Sequence, residues 1–278
     1  MAKSLKLDEI GYWSEVKLDI VCDYAREYSK IVANQPVIRE HIYVDAFAGA
    51  GSHTSKTSGE MVPGSPLNAI SIEPPFSSLH FIDLNKTRVA ELERLSAADP
   101  RVTVHHGDCN EILLRDVFPQ CRFKDFRRGL CLLDPYALNV SWEVLATAGQ
   151  MGSVEVFYNL MIMDANMNVF KRDPSSVTPA QAARMTAVWG DDSWRSVAYR
   201  EETDLFGPQL EKTDNPEIAE AFRLRLKKVA GFKYVPPPIP MRNSKGATVY
   251  YLYFASPNKI GGKIVDHIFD KYRTWGLR

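Results

Sequence analysis

Four short apolar runs in the first half of the chain each end on or just before an aspartate. This repetition restricts the fold more than any other feature. Ile42-Tyr43-Val44 runs into Asp45, Leu79-His80-Phe81-Ile82 into Asp83, Val102-Thr103-Val104-His105 into His106-Gly107-Asp108, and residues 129–133 into Asp134. β-Branched and aromatic residues suit a pleated, buried strand. A fifth run covers 154–160. Helical periods separate the runs, at 85–95 with Val89, Leu92 and Leu95 on one face, at 111–117 and at 142–148. Strands alternating with helices predict an α/β fold with a doubly wound, mostly parallel sheet. Such sheets take ligands beyond the carboxyl ends of their strands. One acid at a strand end is often a helix cap. Four on one edge point to a site.

The first of these ends carries a glycine turn, Ala46-Phe47-Ala48-Gly49-Ala50-Gly51. Glycine takes positive φ and lets backbone approach a ligand closely. A nucleoside cofactor across this edge would meet the turn with its charged tail. Asp83 is placed to accept from both ribose hydroxyls, since a carboxylate only accepts. Asp108 is placed to accept from an exocyclic adenine amine. The cofactor candidates are therefore Asp45, Phe47, Gly49, Gly51, Asp83, Asp108 and Cys109. Asp134 and Tyr136 face the reactive end as catalytic candidates, with Pro135 and Asn159 on the substrate side. Asp164, Asn166 and Asn168 are weaker polar candidates near the same edge. Tyr136 also reads as a hydrogen-bonded tyrosine in the strand–helix turn, and both readings stand.

Other site chemistries fit less well. The dinucleotide fingerprint needs a third glycine after Gly49-Ala50-Gly51, and no P-loop pattern occurs. His53, His105 and His106 lie near the edge, but adjacent histidines on a strand point opposite ways and make no ready metal pair. The four cysteines form no C-x-x-C pair, so neither zinc nor a disulfide scaffold is expected.

The remainder of the chain frames this core. Trp13, Val16, Ile20, Tyr24, Tyr28 and Ile31 share one face of a helix over 13–32. Residues 52–63 lack an apolar period and read as a mobile loop, a possible lid. Gly64-Ser65-Pro66 opens a helix over 67–72, with the serine as its cap. Residues 171–215 carry scattered prolines and read as helical insertion rather than sheet. A helix follows at 216–228 with a basic tail, then a strand edge within 231–241, a strong strand at 248–256 and a last helix at 259–272. The expected organisation is an N-terminal helical segment (1–40), a core (41–170 and 229–278) and a helical insertion (171–228).

Lys plus Arg equals Asp plus Glu, at 34 each in 278 residues, so no overall positive field holds nucleic acid. Four thiols without a pairing pattern suit a reducing cytoplasm. The start, Met1-Ala2-Lys3-Ser4-Leu5-Lys6, does not read as a signal peptide. No run approaches the roughly 20 apolar residues of a membrane span.

The layout of acid-F-x-G-x-G, a second acid, Gly107-Asp108 and Asp134-Pro135-Tyr136 resembles S-adenosylmethionine-dependent methyltransferases. That resemblance implies a seven-stranded Rossmann-like sheet closed by an antiparallel hairpin. Trp13-Ser14-Glu15-Val16-Lys17-Leu18, Tyr43–Gly49, Gly64-Ser65-Pro66-Leu67, Gly107-Asp108-Cys109-Asn110 and Leu133-Asp134-Pro135-Tyr136-Ala137-Leu138 together look like the three-Cys-motif partner family (TcmP), over residues 10 to 165. The resemblance implies S-adenosylmethionine as cofactor and a three-cysteine iron–sulfur protein as partner. Asp134-Pro135-Tyr136 also resembles the D-P-P-Y motif of enzymes that methylate amino groups of nucleic-acid bases. Here one proline is missing, so Tyr136 comes two residues after the acid and Ala137 stands in the aromatic's place. The expectation is a methyltransferase acting on nucleic acid. The alternatives are a non-catalytic, nucleoside-binding partner subunit of the iron–sulfur protein, and a methyltransferase of small molecules or proteins.

Overall fold

The alternating pattern builds one seven-stranded sheet in the computed structural model, which describes residues 9–56, 58–204 and 207–273. Residues 1–6, read above for a leader, lie outside them. The strands are β1 (Glu40–Asp45), β2 (Ser78–Asp83), β3 (Val102–His106), β4 (Arg127–Leu133), β5 (Val154–Leu160), β6 (Ile239–Arg242) and β7 (Thr248–Ala255). Their spatial order is β6-β7-β5-β4-β1-β2-β3. β7 runs antiparallel to both neighbours, and the remaining pairs are parallel. This is the seven-stranded, mostly parallel sheet with a reversed final hairpin that the sequence resemblance implies. The chain winds outward from β1 to β3 and then returns to β4 beside β1. That reversal opens a crevice at the carboxyl ends of β1 and β4.

Period-two alternation assigns each strand's side chains to two apolar layers. Ile42, Val44, Cys131, Leu133, Val156 and Tyr158 face one layer; Tyr43, Leu79, Phe81, Leu130, Leu132 and Phe157 face the other. Each such side chain, fully buried, contributes about 1.5–3 kcal/mol. The second layer is covered by α1 (Tyr12–Ala33), α2 (Ser65–Ile70), α3 (Lys86–Ser96) and α10 (Lys259–Arg273). The first is covered by α4 (Cys109–Ile112), α5 (Trp142–Met151), α6 (Ile162–Asn168), α7 (Pro179–Trp189), α8 (Trp194–Ala198) and α9 (Asn215–Lys228). None of the helices among the described residues is long and apolar enough to cross a membrane.

Several local expectations need correction. The 52–63 segment is not an unstructured loop. Ser52–Ser55 and Met61–Pro63 pair antiparallel, and Glu9–Ile10 adds in parallel beside the first of them. Its polar composition hid the pairing because this small sheet lies outside the core and needs no apolar face. The 171–228 insertion is not purely helical, since Tyr199–Asp204 and Gly207–Lys212 form an antiparallel pair. α9, within the same span, lies on the central sheet: Tyr253 donates its hydroxyl to the Ala219 carbonyl at 2.8 Å. Only Ile239–Arg242 of the 231–241 region joins the sheet as a strand, because the prolines there remove ladder donors. Ser65 does not cap α2; Gly64 holds that position, and the serine serves the site described below.

α5 crosses the chain after α9 at its closest where Gly149 faces the Ala230 carbonyl. A Cβ at Gly149 would lie 2.1 Å from that oxygen, on backbone that cannot rotate aside. Gly149→Ala is therefore expected to destabilise by roughly 1–3 kcal/mol, read as a lower urea midpoint with an unchanged slope. A midpoint equal to wild type would show that this contact is loose.

Candidate active site

β1 delivers Asp45 to the carboxyl edge fully buried. Phe47 donates its amide to one Asp45 oxygen at 3.1 Å, and the Ser65 hydroxyl donates to the other. Burial is the main cause that pushes this carboxyl up to about 7; the Ser65 and Phe47 bonds oppose it, and nearby Asp134 adds to it. The turn then doubles back through Gly49 (φ 65°) and Gly51 (φ 84°). The Gly49 amide points inward and donates to Asp83 at 3.0 Å, while Gly64 donates to the Gly51 carbonyl at 2.8 Å. Gly51 is packed under Leu92 and Leu95. The turn's two glycines thus meet its conformational demand and its packing, and neither lines the two cavities at this edge.

Two cavities open along this edge. The first, of about 380 Å³, is lined by Phe47, Asp83, Arg88, Gly107, Asp108, Cys109, Tyr136 and Asn139, among others. Asp83 is held by amides on both oxygens, from Gly49 and from Asn85 at 2.7 Å, with Arg88 3.9 Å away. Each oxygen retains a further lone pair. Asp108 caps α4 through one oxygen, accepting from Asn110 at 2.8 Å and Glu111 at 3.4 Å. Its second oxygen has no partner among the described residues. The Cys109 thiol is pushed up to about 12 by burial, which makes it an inert wall rather than a nucleophile. Asn110 braces the far side, donating to the Asn139 carbonyl and accepting from the Ser141 amide.

The second cavity, of about 200 Å³, shares Phe47 and Tyr136 with the first and continues past Ser14, Lys17, His53, Ser65, Asp134, Pro135 and Tyr250. Lys17, on the buried face of α1, forms an ion pair with Asp134, their side chains 9% and 29% exposed. Burial opposes the ammonium's charge, but Asp134 and neighbouring tyrosines outweigh it and hold Lys17 protonated above its ordinary range. Asn159, wholly buried, donates to the other Asp134 oxygen. It therefore reaches the cavity only through Asp134. The Tyr250 hydroxyl is buried without a hydrogen-bond partner among the described residues. Tyr136 stands at the junction of the two cavities, 63% exposed, with the Arg88 guanidinium 5.7 Å from its ring centre.

The structure thus gathers Phe47, Asp83, Asp108, Cys109 and Tyr136 around the first cavity and Asp134, Pro135 and Tyr136 around the second. Asp45 and Asn159 sit one bond behind. Asp164, Asn166 and Asn168 serve elsewhere: Asp164 accepts from the Leu138 amide at 2.9 Å and from Arg184, Asn168 donates to Asp164, and Asn166 bridges Lys212 and Asn215. His105 faces His80 at 3.0 Å and His106 faces the Leu84 carbonyl, so only His53 meets a cavity. No group of three metal-ligating side chains forms among the described residues. Sequence reasoning missed Arg88, Asn139, Lys17, Ser65 and Tyr250. Lys17 left a signal: it lies three residues before Ile20 and seven before Tyr24, within the apolar face of α1, where an unpaired lysine would not stay.

Removing the ammonium leaves Asp134 with Asn159 alone. Lys17→Met is expected to cost roughly 1–3 kcal/mol, below the figure for a wholly buried pair because Asp134 is partly solvated. Urea unfolding reads this directly; an unchanged midpoint would mean that the pair does not brace the cleft.

No family model matches the chain, and no curated protein matches it. The resemblance to three-Cys-motif partner proteins therefore rests on its motifs alone. Among solved structures the chain is similar to a candidate S-adenosylmethionine-dependent methyltransferase from Listeria monocytogenes, at 11% identity over 87% of this chain and 100% of that one, TM-score 0.42. It is similar to a candidate methyltransferase, YhhF, from Escherichia coli, at 10% identity over 84% and 86%, TM-score 0.34. It is also similar to a SAM-dependent methyltransferase from Leishmania major, at 10% identity over 86% and 72%, TM-score 0.38. Likeness at this level adds nothing to what the strand order establishes.

Proposed function

We propose that this chain is an S-adenosylmethionine-dependent methyltransferase whose acceptor is an amino group on a nucleic-acid base. The observation that carries the reading is the pair of cavities meeting at Phe47 and Tyr136 on the carboxyl edge of the sheet. One is sized for a nucleoside and holds a buried, amide-clamped carboxylate; the other is smaller and carries Ser65 and the Lys17–Asp134 pair on its wall. Asp83 keeps the lone pairs that two ribose hydroxyls need, and the outer oxygen of Asp108 can accept from an adenine amine. When bound, the cofactor supplies a methyl group already activated on a sulfonium.

The chain's own residues then position the acceptor and take its proton. The exposed Tyr136 ring offers a stacking surface at the junction, worth about 1–3 kcal/mol for a base. Asp134 is engaged by Lys17 and Asn159, so its part is to hold the Asp-Pro-Tyr turn rather than to receive an amine. The proton's route is assigned to Ser65: the residue lines the cavity, a hydroxyl oxygen can accept, and its hydrogen is donated to Asp45. A carboxyl with a pKa near the working pH suits this role. Aligning acceptor and methyl supplies the remaining rate.

Calorimetric titration with S-adenosylmethionine and S-adenosylhomocysteine tests the first cavity. Wild type is expected to bind both, and Asp83→Ala to bind roughly 10- to 100-fold more weakly through lost charged hydrogen bonds. Binding unaffected by that change removes Asp83 from the site. For the second cavity, methyl transfer to DNA and RNA is expected to rise with pH through about 7, as Asp45 ionises and can accept a proton. Asp45→Asn is expected to lower the rate and flatten that rise. A mutant profile that keeps the inflection assigns the proton elsewhere.

A further inference from the structure

A large opening that the proposed reaction does not use lies at the other end of the sheet. A cavity of about 620 Å³ sits at the amino ends of β4 and β5, between the last turn of α1 and the start of α10. A seven-residue strand separates it from the catalytic edge by roughly 20 Å. Tyr28 and Ser153 line it, 6% and 1% exposed, and the hydroxyl of each is buried with no hydrogen-bond partner among the described residues. Buried hydroxyls are nearly always satisfied. These two lie beneath the cavity wall without accessible surface, so they leave the wall polar behind its face but give a ligand no direct contact.

The charges without an opposite partner around this cavity have one sign. Arg128, Lys233 and Lys259 line it, and none has a carboxylate partner among the described residues. The Arg128 guanidinium lies 4.0 Å from the Phe123 ring centre and, among the described residues, donates only to the Arg127 carbonyl, at 2.8 Å. The one acid on the wall, Glu155, accepts from the Tyr24 and Ser256 hydroxyls on its two oxygens. Burial pushes that carboxyl up to about 7, which further reduces its opposition to an anion. The 15-residue α10 begins at the rim, adding the positive end of its dipole. Ile31, Val32 and Ile38 supply an apolar floor.

We propose that this cavity is a binding site for a small organic anion with an apolar body, its charged group held by Arg128 and Lys259 and its body laid on Ile31, Val32 and Ile38. The volume falls in the usual range for small-molecule pockets. A fatty carboxylate and a nucleoside monophosphate share this chemistry.

The test uses the full chain and the fluorescent anion 8-anilinonaphthalene-1-sulfonate as probe. Wild type is expected to bind it saturably, one per chain. Arg128→Gln and Lys259→Glu are each expected to raise its Kd at least tenfold, and Asp83→Ala at the opposite edge to leave it unchanged. Lys259 is exposed at a helix end, so its variant reports on binding even if Arg128→Gln folds poorly. Displacement of the probe by octanoate identifies a fatty carboxylate as the ligand type; displacement by AMP identifies a nucleotide. Unsaturable binding, a Kd unchanged in both rim variants, a Kd raised by Asp83→Ala, or displacement by neither compound overturns the proposal.

Discussion

A buried ammonium joins the two walls of the cleft. Lys17 reaches from α1 to Asp134 at the end of β4, and Asn159 of β5 completes the arrangement. The ammonium is not tolerable alone at that depth, and it fixes the partly solvated carboxylate in turn. The pair sets where α1 lies across the carboxyl edge, and hence how wide the second cavity is. It also leaves the Asp-Pro-Tyr turn with a rigid root, braced from behind by the bond between Asp164 and the Leu138 amide. Tyr136 can then stand outward at the junction without collapsing onto the sheet.

Around that pair, four aspartates at equivalent strand ends do four different jobs. Asp45 is sealed under Ser65 and raised toward neutrality by burial. Asp83 is clamped by two backbone amides and faces the larger cavity. Asp108 is exposed and caps a short helix with one oxygen. Asp134 is neutralised by a lysine. The residue type and the topological position are the same throughout. Depth, amide donors and a neighbouring cation decide what each carboxyl can do.

The sheet was legible because its signals are local. A period of two places Tyr43 and Val44 on opposite faces, and Gly49 and Gly51 permit the turn without help from the rest of the chain. The last strand was visible in the run Thr248–Ala255, and its reversal was implied by the methyltransferase resemblance. The small sheet formed by Ser52–Ser55 and Met61–Pro63 was not visible, because strands outside the core need no apolar face. Nor was the pairing of Tyr199–Asp204 with Gly207–Lys212, whose charged residues resemble those of a surface helix. Ser65 looked like a helix cap because sequence position alone cannot show whether a hydroxyl turns to its own helix or to an acid 20 residues earlier.

The sequence by itself therefore determined the class of sheet, its mostly parallel core and the edge on which the acids gather, since hydrophobic period and turn chemistry act over a few residues. The tertiary structure alone decided which of those acids is free, paired or sealed. Asp134 meets its lysine across 117 positions of chain, and both cavities are walled by segments that are distant in sequence. Electrostatic character depends on such neighbours and on depth from water, and neither quantity is a property of a local stretch of chain.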